Sequence, residues 1–166
     1  EDHNIFYTNK MSVFNSGDKE IAVKTGLQSF AAFGVPDATL QFNIGEVKEI
    51  GKILGSDSTV YADARATESL AKISLRQKKY IHFATHGVLN YSSDYSQSYL
   101  KLLPDKDTSN GNNGQLTMRE IQSLGITDCN MVILSACQTA VSKQLVKGWN
   151  ISPANSFLVS NVKTVV

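Results

Sequence analysis

Short apolar runs alternate along this chain with stretches whose apolar residues recur every three or four positions. SFAAFG (29–34) has the pattern of a buried strand, stopped by Gly34 and by the turn pair Pro36-Asp37. STVYA (58–62) predicts a brief second strand. KYIHFAT (79–85) predicts a central one, because apolar residues fall on both of its faces. SYLKLLP (98–104) reads as another strand. NMVILSA (130–136) is the clearest of all, being apolar, β-rich and bounded by polar residues. VKTVV (162–166) predicts a last strand, coincident with the end of the chain.

Between these runs the period changes. Ile44, Val47, Ile50, Ile53 and Leu54 lie at helical spacing, and Gly55 stands where a C-terminal cap belongs. A second helix is predicted over 66–75, with Thr67 as its N-cap. In LTMREIQSLG (116–125), Thr117 is followed three places on by Glu120, the capping-box pattern before a short helix closed by Gly125. A mixed, helical stretch is predicted ahead of the last strand. Residues 105–115 are polar and aperiodic and read most simply as a solvated connection, with a flexible segment near a cleft as the functional alternative. Residues 1–28 read as lead-in edge strands of the same domain, with NSGDKE as a turn.

Strands and helices thus alternate from residue 29 onward. The alternation predicts an α/β fold, a mostly parallel sheet with helices on both faces, since parallel neighbours need crossover connections. In such sheets, ligands and reacting groups gather at the carboxyl ends of the strands. Two chemically capable residues fall there: His86, after the 79–85 strand, and Cys137, after the 130–136 strand.

Composition narrows the setting. At 166 residues and 42% hydrophobic, the chain suits one domain with a real core. Its 16 basic and 15 acidic residues nearly cancel, and no basic stripe interleaved with aromatics is visible, so nucleic acid is a poor first guess. No apolar stretch approaches the ~20 residues of a membrane span, and the N-terminus does not resemble a signal peptide. Two cysteines, Cys129 and Cys137, argue against a disulfide scaffold and fit a reducing, cytoplasmic compartment. No cluster of Cys and His has the three or four ligands a metal needs, so neither metal nor other cofactor is expected.

Taken alone, a cysteine after an apolar strand is usually a small buried hydrophobe, and a lone histidine at a strand end is usually structural. The pair reads differently. His86 lies 51 residues upstream of Cys137, and Ala136-Cys137-Gln138 matches the centre of the caspase signature, whose histidine stands about 50 residues before its cysteine. Ser135 and Thr139 depart from that signature's ends. A free thiol is only slightly ionised at neutral pH, so a thiol nucleophile needs a neighbouring imidazole to take its proton. Backbone N–H groups at Gly87 and Cys137 are the expected oxyanion donors, and loss of one such donor typically costs ~100–1000-fold in turnover. By contrast, His82 lies inside its strand between Ile81 and Phe83 and is expected to face a helix layer with its ring hydrogen-bonded. Cys129 precedes its strand, at the other end of the sheet, and is expected to be inert; His3 lies near the chain terminus.

From residue 29 to the end the chain resembles the CHAT domains, caspase-like cysteine proteases usually found C-terminal to tetratricopeptide repeats in bacteria and related to separase and caspases. FAAFGVPD, GEVKEIGKILG and ATESLAKI are similar to the family's first strand and first two helices. IHFATHG, GQLTMREIQSL and NMVILSACQTA are the most specific segments and occur in the family's order. The resemblance implies a three-layer αβα caspase-like sandwich and a cysteine endopeptidase with His86 and Cys137 as its dyad. Ala140 stands where a glycine is common, Lys147 where a glutamate usually precedes Gly148, and Asn161 where a glycine is usual.

The expected partners are a protein or peptide substrate and a regulatory, repeat-containing region of a longer chain. The apolar 162–166 strand is expected to be completed either by further segments of a longer chain or by a second chain pairing with it. Two rival readings stand beside the peptidase. One is a non-catalytic caspase-like scaffold or sensor; the other is a redox-responsive thiol domain using Cys137 alone.

Overall fold

The computed structural model describes residues 29–90, 94–135, 145–146, 149–150 and 152–166. In chain order, the first half holds β1 (Phe30–Gly34), α1 (Asn43–Leu54), β2 (Ser58–Ala62), α2 (Glu68–Gln77), β3 (Tyr80–Ala84) and β4 (Gly87–Val88). The second half holds β5 (Tyr99–Lys101), β6 (Gln115–Thr117), α3 (Met118–Ser123), β7 (Met131–Ser135), β8 (Leu145–Val146), β9 (Trp149–Asn150), α4 (Pro153–Val159) and β10 (Thr164–Val165). The lead-in strands expected within 1–28 lie outside the described residues.

Five strands form one parallel sheet in the order β10-β7-β3-β1-β2. The strands at its centre are apolar on both faces because both faces are covered, and β1 is buried along its whole length. From β1 the chain moves one way to β2 and then returns past β1 to β3, β7 and β10. With right-handed crossovers this reversal sends α1 to one face and the later helices to the other. The core divides accordingly. Val47 of α1 packs with Phe30, Ala32, Ala62 and Ala84, whereas Ala71, Leu75, Ile121 and Phe157 pack with Ala31, Phe33, Ile81, Phe83 and Val132. On that second face Phe33 stacks on Tyr61 at 4.7 Å and on Phe83 at 5.2 Å, and Phe83 continues to Phe157 at 6.1 Å. Such pairs contribute about 0.5–1.5 kcal/mol each beyond their buried area. The result is a three-layer αβα sandwich.

The register leaves the strands flush at their carboxyl ends. Gly34 pairs with both Ala62 and Ala84, and Ala84 with Ser135. Gly34 also lets the start of α1 sit directly on the end of β1: a Cβ there would come within 2.6 Å of Val47 Cγ2 and 3.2 Å of the Asn43 carbonyl.

Two expectations are corrected. Residues 99–101 are a strand but do not join the main sheet; β5 lies between β4 and β6 in a separate antiparallel sheet. Of its three residues only Leu100 is buried, so one face is open, as antiparallel strands allow. Thr67 does stand at the N-cap of α2, but its hydroxyl does not cap the helix. Asp105 does so from the following loop, accepting the Ser69 N–H at 3.2 Å. That loop is tied down further. Lys72 Nζ donates to Asn112 Oδ1 at 2.9 Å, and Gly114 N donates to buried Glu68 Oε2 at 2.7 Å. The Thr117–Glu120 capping box forms as the sequence predicts. Asn161 has φ 69°, a conformation glycine favours and asparagine tolerates. Among the described residues no helix is long and apolar enough to cross a membrane, and no group of three or more His, Cys, Asp or Glu is arranged to hold a metal ion.

Candidate active site

The reversal of winding leaves the carboxyl ends of β1 and β3 side by side with their chains departing in opposite directions, the position where open α/β sheets form their binding crevice. A single side chain staples these two ends. Asn43, at the start of α1 and 6% exposed, donates from Nδ2 to the carbonyls of Val35, just past β1, and of Ala84, the last residue of β3. Chain separation hid this staple from sequence reasoning, since Asn43 and Ala84 are 41 residues apart.

Past β3 the chain peels out of the main sheet through Thr85 and His86 into β4. Thr85 is buried and its hydroxyl donates to the Lys101 carbonyl, while Lys101 N donates to the His86 carbonyl at 2.8 Å. The small antiparallel sheet therefore grips the backbone on both sides of the imidazole. Because the His86 carbonyl is the acceptor, Gly87 and Leu100 form a non-hydrogen-bonded pair of the ladder, and the Gly87 N–H turns away from β5.

The loop after β1 meets the ring. Asp37 closes a tight turn, its Oδ1 accepting from Thr39 N at 2.9 Å and lying 2.6 Å from Thr39 Oγ1. Thr39 Oγ1 in turn lies 2.7 Å from His86 Nε2, and Asp37 Oδ1 is 3.7 Å from the same nitrogen. Lys101 Nζ reaches the other carboxylate oxygen of Asp37 at 2.6 Å. Lys101 and Thr39 together hold the Asp37 carboxyl well below the usual carboxylate range. The His86 side chain is 29% exposed and that of Asp37 only 11%, so the ring is partly exposed beside a more shielded anion. Sequence reasoning singled out His86 but read Pro36-Asp37 only as a turn, and it missed Thr39 and Lys101.

On the α1 face, Glu46 Oε1 holds His82 Nε2 at 2.8 Å, and Glu46 Oε2 accepts from Ser135 Oγ at 3.2 Å. His82 is 4% exposed, faces the helix layer and has its ring satisfied, as expected. Burial lowers its pKa below the ordinary value near 6.5, with Glu46 only partly opposing. Cys129 is buried beneath the amino end of β7, its thiol against the Lys79 and Met131 carbonyls, and burial pushes its pKa up to about 11. A thiol so placed is inert near neutrality.

Cys137, with Ala136 and Gln138, lies outside the described residues, as does His3. What the structure brings together is His86 with Thr39, Asp37 and Lys101, beside the strand end from which the chain leads to Cys137.

A family model described as the CHAT domain matches residues 1–166. No curated protein matches the chain. With a match across its full length, the chain belongs to the CHAT domain family.

Proposed function

We propose that this domain is a cysteine endopeptidase that cleaves a protein substrate with Cys137 as nucleophile and His86 as general base and acid. The observation that carries the reading is the register of the two strands concerned. Ala84 of β3 and Ser135 of β7 are directly paired at the carboxyl edge, and His86 and Cys137 each follow their strand's paired residue by two positions. The partly exposed ring of His86, on a backbone held by the small sheet, gives a base a defined position before substrate arrives.

In this mechanism His86 takes the Cys137 thiol proton and the thiolate adds to the scissile carbonyl. The oxyanion is held by the backbone N–H groups of Gly87 and Cys137, a role favoured by the Gly87 N–H being unused in its ladder. The tetrahedral adduct collapses as His86 protonates the leaving amine. Water, deprotonated by the same ring, then hydrolyses the thioester and returns the free thiol. The domain works in this reading in the cytoplasm, within a longer regulated chain carrying tetratricopeptide repeats. The edge strand β10, which among the described residues pairs only with β7, is where further sheet from that chain or a second one would add.

The test is a peptide-library cleavage profile of the chain beside its Cys137→Ala and His86→Ala variants. Each substitution is expected to lower turnover by ~10,000-fold or more while leaving the fold intact. A His86→Ala chain that cleaves at close to the wild-type rate would overturn the assignment. Wild-type protein that cleaves nothing, yet keeps a binding partner when either residue is removed, would favour the scaffold reading.

A further inference from the structure

We infer that Thr39 and Asp37 are positioning residues for His86: together they fix the neutral imidazole as its Nε2–H tautomer and leave Nδ1 as the basic nitrogen offered to the thiol. The inference rests on the dyad proposed above, but its geometry lies wholly among the described residues.

The protons available to these groups fix the tautomer. Asp37 is held as a carboxylate by Lys101 Nζ at 2.6 Å and by Thr39 N at 2.9 Å, so both of its oxygens can only accept. Thr39 Oγ1 lies 2.6 Å from Asp37 Oδ1. Two oxygens that close need a proton between them, and only the threonine hydroxyl has one to give. That hydroxyl carries a single proton and has spent it on the carboxylate, so towards His86 it can only accept. The 2.7 Å contact between Thr39 Oγ1 and His86 Nε2 therefore requires hydrogen on Nε2. A neutral ring with hydrogen on Nε2 has its lone pair on Nδ1. When Nδ1 takes a proton, the ring becomes a cation 3.7 Å from the Asp37 carboxylate, which stabilises that state without touching substrate.

Lys101 gives the arrangement its rigidity. Its side chain holds Asp37, while its own N–H and carbonyl hold the His86 carbonyl and the Thr85 hydroxyl. The anion and the ring are thus fixed by one residue of β5, and the small sheet sets the distance between them.

Asp37→Asn separates the two roles of the carboxylate. The amide oxygen can keep both bonds from Thr39, N–H and hydroxyl, with the NH2 group on the Lys101 side, so the ring keeps its hydrogen on Nε2 while the charge facing the imidazolium is lost. A loss of ~10-fold or more in kcat is expected with the tautomer unchanged.

The experiment combines NMR of the ring with kinetics. In alkaline buffer the 13Cδ2 and 15N shifts of His86, assigned against His86→Gln, report which nitrogen carries hydrogen. The wild-type ring is expected as Nε2–H, Asp37→Asn likewise as Nε2–H, Thr39→Val as a mixture, and Thr39→Ser as wild type. Kinetically, Thr39→Val should lower kcat on the order of 10–100-fold with KM little changed, and Thr39→Ser should restore most of it. A wild-type ring protonated on Nδ1, or a Thr39→Val ring identical to wild type, overturns the inference. Because Thr39 is exposed, Thr39→Val is not expected to disturb folding, and the Thr39→Ser comparison detects it if it does. A chain without peptidase activity whose tautomers follow the expected pattern would sink the proposed function and leave the positioning role standing.

Discussion

Two histidines four residues apart on one segment have opposite surroundings. His86 is past the strand end and partly exposed over an anion; His82 is buried in the sheet against Glu46. Burial keeps the His82 pKa below 6.5, so the unfolded chain binds a proton there at a pH where the folded chain does not. Stability should therefore be lost as pH falls from about 6.5 towards the lowered folded value, and no such penalty exists above it. Urea unfolding at about pH 7.5 and about pH 5.5 checks this: wild type should lose more stability between the two than His82→Gln. Equal losses would mean that His82 is not the group responsible. At this scale the sequence was legible where chemistry sat next to a strong pattern. His86 and Gly87 close an apolar run and so announce themselves. Thr39 and Lys101 do not, because each is a lone polar residue whose partner is 47 or 64 positions away.

The elements were legible where one signal dominated. The apolar runs at 30–34, 80–84 and 131–135 became the three inner strands of the sheet, and the capping box at Thr117 started a helix where it should. Residues 99–101 misled because a run this short carries too little alternation to separate a half-exposed strand from a buried one. The α2 cap was obscured for a different reason. Its acceptor, Asp105, comes from the loop 36 residues on. That loop, aperiodic in sequence, is anchored at Gly114, whose φ of +90° suits glycine and whose N–H is held by Glu68. Glu68 is fully buried and meets Lys72 across 2.6 Å as an ion pair. A Cβ on Gly114 would stand 2.8 Å from the Leu102 carbonyl oxygen and 2.9 Å from Pro104 N, both backbone atoms that cannot swing aside. Gly114→Ala should therefore lower unfolding free energy by about 2–4 kcal/mol in denaturant titration, against ±0.5 kcal/mol for an ordinary surface change. A change within that smaller range would show that the loop is not locked to α2.

At the scale of the molecule, the winding order decides where chemistry can occur. Reversal between β1 and β3 opens a crevice at the carboxyl edge, and the flush register of β3 and β7 brings the chain towards Cys137 beside it. Strand-and-helix alternation revealed the layers in advance, because crossover geometry leaves few alternatives. It did not reveal the second, antiparallel sheet, since that sheet is assembled from two- and three-residue strands with no period of their own. Yet this small sheet carries Lys101 and grips His86, so the large sheet supplies the place and the small one the aim. In the proposed mechanism Cys137 and His86 react as a pair across this edge. The rate of alkylation at each cysteine at about pH 7, followed by peptide mapping in wild type and in His86→Gln, tests that pairing. Rapid labelling of Cys137 is expected, with none of buried Cys129 on that timescale and Cys137 labelling slowed ~10-fold or more without the imidazole. Equal labelling of the two cysteines, or a Cys137 rate indifferent to His86, would contradict it.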